Sequence, residues 1–284
     1  MDNEIIEKRL KQYAPKSPEE EENAYKEVLQ ELALYALSTT DFFAHASFQG
    51  GTALRILYQL PRFSEDLDFI LNKSNKNFSW EKYIHQVNNA FELFDIHPEI
   101  IDRSKADQSI KKLFLKDNSI GKIIKLTFPA HSQKKFLIKF EIDTNPPSGS
   151  TSEIKFLEFP LDYSITSQDL SSNFSGKCHA LLCRAYMKGR DWFDFSWYVA
   201  NKISPNFKFL ESAILQQGPW QNQKIQVTKK WLTDELANKI KSIDWTSAKA
   251  EVERFANDPD RDSLRLWNAD FFMDKVNKLT HYLS

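Results

Sequence analysis

Phe48-Gln49-Gly50-Gly51-Thr52-Ala53-Leu54-Arg55-Ile56-Leu57-Tyr58 runs, through Gln59-Leu60-Pro61-Arg62-Phe63-Ser64-Glu65, into Asp66-Leu67-Asp68-Phe69. Only 7 glycines occur in 284 residues, yet two stand side by side at Gly50-Gly51. Glycine permits turns that a Cβ forbids and lets a ligand approach the main chain. Residues 52–59 carry a helical pattern, so the pair opens a helix, and the first N–H groups of a helix favour phosphate. Thr52 can cap that helix or add a hydroxyl donor. Residues 65–71 read as a strand, in which Asp66 and Asp68 share one face while Leu67 and Phe69 take the other. Carboxylates so close repel one another, and a site that keeps both ionised calls for a cation between them. Hard oxygen ligands on a rigid strand suit Mg²⁺. Glu65 alternates with the pair and faces elsewhere. Taken singly, a glycine pair is most often a turn and D-x-D a solvated strand face. The short helix and the return loop Arg62-Phe63-Ser64-Glu65 bring the two elements back beside one cleft.

Working outward, residues 19–37 form a long helix with Pro18 near its opening, and residues 80–93 are helical again. From about 94 to 160 the chain turns β-rich, in the short runs IHPEIID, KKLFLK, GKIIKLTF, KFLIKFEID and EIKFLEF. After Ser167, apolar residues recur at three-to-four spacing nearly to the end. The expected fold is α+β: a small mixed β-sheet core flanked by helices over residues 1–170, then an all-helical part over 171–284. The boundary falls near 167–175, where the Ser/Asn/Gly-rich SSNFSG precedes a helix. In Phe136-Leu-Ile-Lys-Phe-Glu-Ile-Asp143, Glu141 and Asp143 share a strand face opposite Phe140 and Ile142, a pattern that a polar strand face bonded to neighbouring lysines also gives. Lys177, Arg184, Lys188 and Asp191, spaced seven, four and three apart, fall on one helical stripe if Gly189 does not break it. A solvated helix face gives the same pattern; facing phosphates, such a stripe would neutralise their charge.

Composition sets the limits. Aromatics at 13% and charged residues at 27% describe a water-soluble globular chain, and no run approaches the roughly 20 apolar residues of a membrane span. The amphipathic start, Met1 to Lys8, has no signal-peptide core. Cys178 and Cys183, five apart in a helical pattern, are poorly spaced for a bridge and read as free thiols in a reducing cytoplasm. The net charge of −1 is unevenly spread: residues 176–284 hold 17 Lys+Arg against 13 Asp+Glu, and the rest hold 21 against 26. A mildly basic second half can meet a polyanion, although solvated helix faces give the same count. The six histidines lack metal-ligand spacing, and there is no serine-hydrolase elbow, P-loop or zinc motif. Trp220, Trp231, Trp245, Trp267, Phe271 and Phe272 sit mostly on apolar stripes and are expected in the core.

GGTALRILYQLPRFSEDLDF resembles the signature of the AbiEii-type nucleotidyltransferase toxins, a branch of the DNA polymerase β-like nucleotidyltransferase superfamily. Lys177, followed by Lys188-Gly-Arg190-Asp191-Trp-Phe-Asp194, is similar to a second family segment, so the likeness covers about residues 48–200. It implies a nucleotidyltransferase core whose active site the helical part completes. Asp66, Asp68 and a third acid, Glu141 before Asp143, would hold two Mg²⁺ ions, with Mn²⁺ as a substitute. Gly50, Gly51 and Thr52 would grip the phosphates, Lys177 with Arg184 would contact the triphosphate, and Asp191 would belong to the active site. The implied reaction moves a nucleoside monophosphate from an NTP to an acceptor hydroxyl, for some members at the 3′ end of tRNA. It also implies a toxin of a toxin–antitoxin or abortive-infection (phage-defence) system, with a separately encoded antitoxin. The chain's own residues leave three alternatives: a nucleotidyltransferase for a protein or small molecule, a D-x-D sugar transferase, and a non-catalytic binding protein on the same fold.

Overall fold

A computed structural model describes residues 4–117, 135–256 and 258–283. The chain divides into two units: Met1–Tyr58, Phe63–Pro146 and Glu153–Ser167 form the first, and Gln59–Arg62, Pro147–Ser152 and Gln168–Ser284 the second.

The first unit is built on β1 (Ala46–Gln49), β2 (Asp66–Leu71), β3 (Glu99–Asp102), β4 (Ile110–Asp117), β5 (Phe136–Asp143), β6 (Ser152–Leu157) and β7 (Tyr163–Gln168). They form one sheet in the order β3-β4-β5-β2-β1-β7-β6. It is mixed: β2 runs antiparallel to β1 but parallel to β5, which is antiparallel to β4. Strand β5 alternates as its sequence requires, with Phe136, Ile138, Phe140 and Ile142 buried and Lys139, Glu141 and Asp143 on the other face. The expected strand over residues 121–128 lies outside the described residues, and β7, in the polar YSITSQ, was not foreseen.

Helices α1 (Glu4–Tyr13), α2 (Pro18–Ser38), α3 (Phe42–His45), α4 (Gly50–Tyr58) and α5 (Glu81–Glu92) complete this unit. Pro18 sits in the first turn of α2, and the Ser17 hydroxyl caps it by accepting from the Glu20 N–H. Around Phe69 and Phe140 on the buried sheet face, Phe42 and Trp80 build an aromatic cluster, Phe42 and Phe69 meeting edge to face at 4.9 Å. Each of these rings is essentially buried, a burial worth roughly 1.5–3 kcal/mol apiece.

The second unit is helical: α6 (Leu170–Cys183), α7 (Gly189–Ala200), α8 (Phe207–Gln216), α9 (Lys229–Lys241), α10 (Trp245–Glu253), α11 (Asp258–Leu264) and α12 (Ala269–Tyr282). Asp169, Asn206, Thr228, Asp244 and Asn268 cap α6, α8, α9, α10 and α12 through their side chains. Two sequence expectations fail here. SSNFSG does not precede a helix but forms the first turns of α6, because Asp169 accepts from the Ser172 N–H and starts the helix before it. The stripe from Lys177 to Asp191 is not one helix either: α6 ends at Cys183 and α7 begins at Gly189. Phe272 packs between Trp245, stacked at 4.2 Å, and Trp192, while Trp267 is buried beside it, so these aromatics serve the core. Cys178 and Cys183 are free thiols. Among the described residues no helix is long and apolar enough to cross a membrane.

Candidate active site

Strand β1 ends at Gln49 opposite Asp68, and the next residue turns into α4. Gly50 makes that turn at φ +82°, in the left-handed region, and Asp68 crowds the space that a side chain there would enter. A Cβ built at Gly50 would lie 2.7 Å from Asp68 Oδ2 and 3.1 Å from its Cβ. The glycine is therefore demanded twice, by backbone angle and by the carboxylate it abuts. Gly51 and Thr52 are buried behind it, and the Thr52 hydroxyl donates to the Asp66 backbone carbonyl, tying the start of α4 to the start of β2.

Helix α2 sets this assembly from the other side. Its Glu27 accepts from Arg55 Nε of α4 at 2.8 Å, Gln30 Nε2 donates to the Ser64 carbonyl at 2.9 Å, and Lys26 reaches Glu65 at 3.5 Å. Glu65 thus faces α2 while its neighbours Asp66 and Asp68 take the opposite, charged sheet face.

Register decides what joins them. Across the parallel β2–β5 pair, Asp66 stands opposite Lys139, Asp68 opposite Glu141, and Ile70 opposite Asp143. Across β4–β5, Lys112 stands opposite Glu141 and Ile110 opposite Asp143. Glu141 is therefore the direct neighbour of Asp68, with Asp143 one pleat further along. Lys139 Nζ lies 2.9 Å from Asp66 Oδ2 and 3.4 Å from Glu141 Oε2, and Lys112 Nζ lies 2.9 Å from Glu141 Oε1. Burial pushes the Glu141 carboxyl up, but the Lys112 hydrogen bond and the Lys139 charge outweigh it and hold its pKa below the usual range. Lys139 is raised on balance: burial opposes its charge, and Asp66, Glu141 and Asp68 more than restore it. A cleft of about 380 Å³ opens over this face, lined by Gln49, Asp68, Gln108, Ser109, Lys112, Glu141 and Asp143 among others. That volume suits a small ligand.

The remaining expected site residues belong to the second unit. Lys177, from the middle of α6, lies 2.7 Å from Asp191 and 2.8 Å from Asp194 of α7, and Arg184, capping α6, bonds the other Asp191 oxygen. Packing of two helices brings these side chains together. Burial raises the Asp191 carboxyl, but Lys177 and Arg184 overcome it and leave its pKa low; the two aspartates likewise keep Lys177 charged against burial. Gly189 lets α7 meet α10, for a Cβ there would fall 1.9 Å from the Ala248 carbonyl oxygen. Arg190 is held by Glu251 of α10 at 2.9 Å. The sequence reading missed Arg62. This residue, 2% exposed, clasps the fully buried Asp194 through Nε and Nη2 at 2.7 and 2.6 Å. Its partner lies 132 residues away, so no local pattern announces it.

The structure thus brings Gly50, Asp66, Asp68 and Glu141, expected from the sequence, together at one end of β1 and on one face of β2 and β5. The sequence model described as "Nucleotidyl transferase AbiEii toxin, Type IV TA system" matches residues 32–274. The chain belongs to this AbiEii family of nucleotidyltransferase toxins, whose type IV toxin–antitoxin systems pair the toxin with an antitoxin. A comparison with curated proteins returned no match. Among solved structures, JHP933 from Helicobacter pylori is 17% identical, with 92% of this chain and 96% of that one covered at a TM-score of 0.49. MenT4, a nucleotidyltransferase toxin from Mycobacterium tuberculosis H37Rv, is 13% identical, with 98% and 99% covered at a TM-score of 0.49.

Proposed function

We propose that the cleft over β2, β4 and β5 binds an NTP and transfers its nucleoside monophosphate to an acceptor hydroxyl, releasing pyrophosphate, and that the acceptor is RNA, at the 3′ end of tRNA. The observation that supports this most is Asp68, which crowds the side-chain position of Gly50 on one side and stands in register with Glu141 on the other. The helix start next to an acidic face supplies neighbouring subsites for phosphate and for cations.

Divalent metal is part of the proposal, and the donor set suits it. Asp66, Asp68 and Glu141, with Asp143 as an alternative to Glu141, offer hard oxygen ligands on rigid strands. As they stand, no three His, Cys, Asp or Glu side chains among the described residues form a ready metal-binding group, and Lys139 sits between Asp66 and Glu141. Bound to these carboxylates, Mg²⁺ would offset phosphate charge and favour the deprotonated acceptor hydroxyl. The protein's own part is positional. Gly50 and Gly51 let the triphosphate approach the main chain at the start of α4, while Thr52 keeps α4 and β2 in fixed relation through the Asp66 carbonyl. In this proposal the α-phosphate would lie beside Asp68 and Glu141, held for in-line attack. For the second unit we propose that Lys177 and Arg184 supply positive charge to the triphosphate, with Asp191 and Asp194 orienting them. The resemblance supports that role, as do the three cations, counting Arg62, gathered on two aspartates.

The test incubates the full chain with each labelled NTP, Mg²⁺ and total RNA, beside Asp66→Ala/Asp68→Ala. Label in tRNA with wild type alone is the expected result. Label on protein or a small molecule would move the acceptor class, and no label with any nucleotide would refute the catalytic reading. Growth arrest on expression, relieved by the same double substitution, checks the toxin role in the cell.

A further inference from the structure

Two lysines stand among the carboxylates of the acidic face. Lys139 and Lys112 project from the strands that carry or flank Glu141, and both point to the charged side of the sheet. Lys139 bridges Asp66 and Glu141 at 2.9 and 3.4 Å, and Lys112 holds the other Glu141 oxygen at 2.9 Å. All four side chains are partly buried: Lys139 is 26% exposed, Glu141 23%, Asp66 35% and Lys112 39%. The pairs are fixed by strand register, because the residue opposite Asp66 is Lys139 and the residue opposite Glu141 on β4 is Lys112. Such placement differs from a chance surface pair, which a long side chain makes and breaks freely.

We infer that Lys139 and Lys112 are resident counter-ions of the carboxylate site, which keep Asp66 and Glu141 paired while no divalent cation is bound and compete with that cation for them. Three carboxylates on neighbouring positions would otherwise repel and splay, which strand geometry resists. The two ammonium groups neutralise charge on Asp66 and Glu141, the two carboxylates for which an incoming cation would have to compete. When a divalent ion takes Asp66 and Glu141, both lysines lose their partners beside the site where a triphosphate would sit. Lys112 lines the cleft and is the better placed to turn to phosphate; Lys139 does not line it. The consequence is a site that assembles when cation and nucleotide arrive together and binds the cation weakly alone. This inference rests on the metal-binding part of the proposed function.

The experiment measures Mn²⁺ binding to the EDTA-stripped full chain by electron paramagnetic resonance, with no nucleotide present. It compares wild type with Lys139→Met, Lys112→Met, Lys139→Arg and Glu141→Gln. Removing a lysine should tighten Mn²⁺ binding about fivefold, the upper end of what a partly exposed ion pair is worth. Lys139→Arg, which keeps the charge, should stay at the wild-type value. The metal-free Lys139→Met protein should also melt at a lower temperature than wild type and regain the difference when Mn²⁺ is added. If Lys139→Met is too unstable to purify, Lys112→Met carries the same comparison. Unchanged or weaker Mn²⁺ binding in both methionine variants, with Glu141→Gln weakened, would overturn the counter-ion role and leave the metal site standing. Absence of Mn²⁺ binding in wild type and in every variant would instead refute the metal reading, and the lysine role with it.

Discussion

Replacing Gly50 by alanine tests the glycine's contact with Asp68 most directly. Two costs can be worked from the structure. Gly50 sits at φ +82°, and an L-residue in the left-handed region costs about 1–2 kcal/mol. The added methyl would start 2.7 Å from Asp68 Oδ2. Reaching an ordinary contact of roughly 3.5 Å requires the carboxylate or the helix start to give way by about 0.8 Å. Such overpacking adds about 1–3 kcal/mol, so a total destabilisation of about 2–5 kcal/mol is expected. The effect on catalysis should be larger than stability alone implies, because the displaced group is Asp68. A misplacement of about 1 Å at the reacting centre costs on the order of 100-fold in rate. Urea denaturation gives the first quantity, and labelled-nucleotide transfer at a temperature where the variant is folded gives the second. A Gly50→Ala protein that unfolds at the wild-type midpoint and transfers nucleotide at the wild-type rate would refute the reasoning. One that is destabilised yet fully active would show that Asp68 is a structural neighbour and not part of the chemistry.

Other outcomes follow from the same geometry. Asp68→Asn and Glu141→Gln are near-isosteric and should unfold within about 1 kcal/mol of wild type while losing at least about 100-fold in transfer; Asp143→Asn, one pleat away, should lose less, and equal losses would contradict the register argument. Arg62→Met leaves Asp194 buried with Lys177 as its remaining named partner, and should cost about 3–5 kcal/mol in denaturant unfolding; a cost under about 1 kcal/mol would show that water or another group replaces the guanidinium. Burial raises the Glu31 carboxyl to about 7 in the folded state, against the opposing pull of Arg9, from an ordinary value near 4.5. The native state then holds a proton that the unfolded chain releases between those values, so this group's contribution to stability is present below about 4.5 and is lost as pH rises toward 7. The difference in unfolding free energy between wild type and Glu31→Gln should change across that window with this sign, and a flat or opposite difference would remove Glu31 as its cause.

Much of the first unit could be read from spacing, because its signals are local. The Gly50-Gly51 turn, the helix after it and the Asp66-Leu67-Asp68 strand occupy about twenty consecutive residues, and backbone periodicity alone puts both aspartates on one face. Helix starts were legible where a proline or a polar cap marks them, as at Ser17-Pro18. The break between α6 and α7 was not, since one stripe of charge continues across two helices when they pack side by side. Neither was β7, whose polar residues carry little apolar alternation and which is held in place by pairing with β1. Arg62 was invisible for a further reason: a buried cation is recognised by its partner, and Asp194 comes near only when the chain has folded.

From the linear chain one can therefore derive the chemical parts of the candidate site and the face on which each carboxylate must lie. Whether Glu141 or Asp143 stands beside Asp68, and that Lys139 and Lys112 occupy the space among the carboxylates, follows from strand order and register. Those are long-range choices, and in a sheet a shift of two residues conserves every side chain's face while exchanging its neighbour. Periodicity fixes faces; hydrogen-bonded pairing of distant strands chooses the partners.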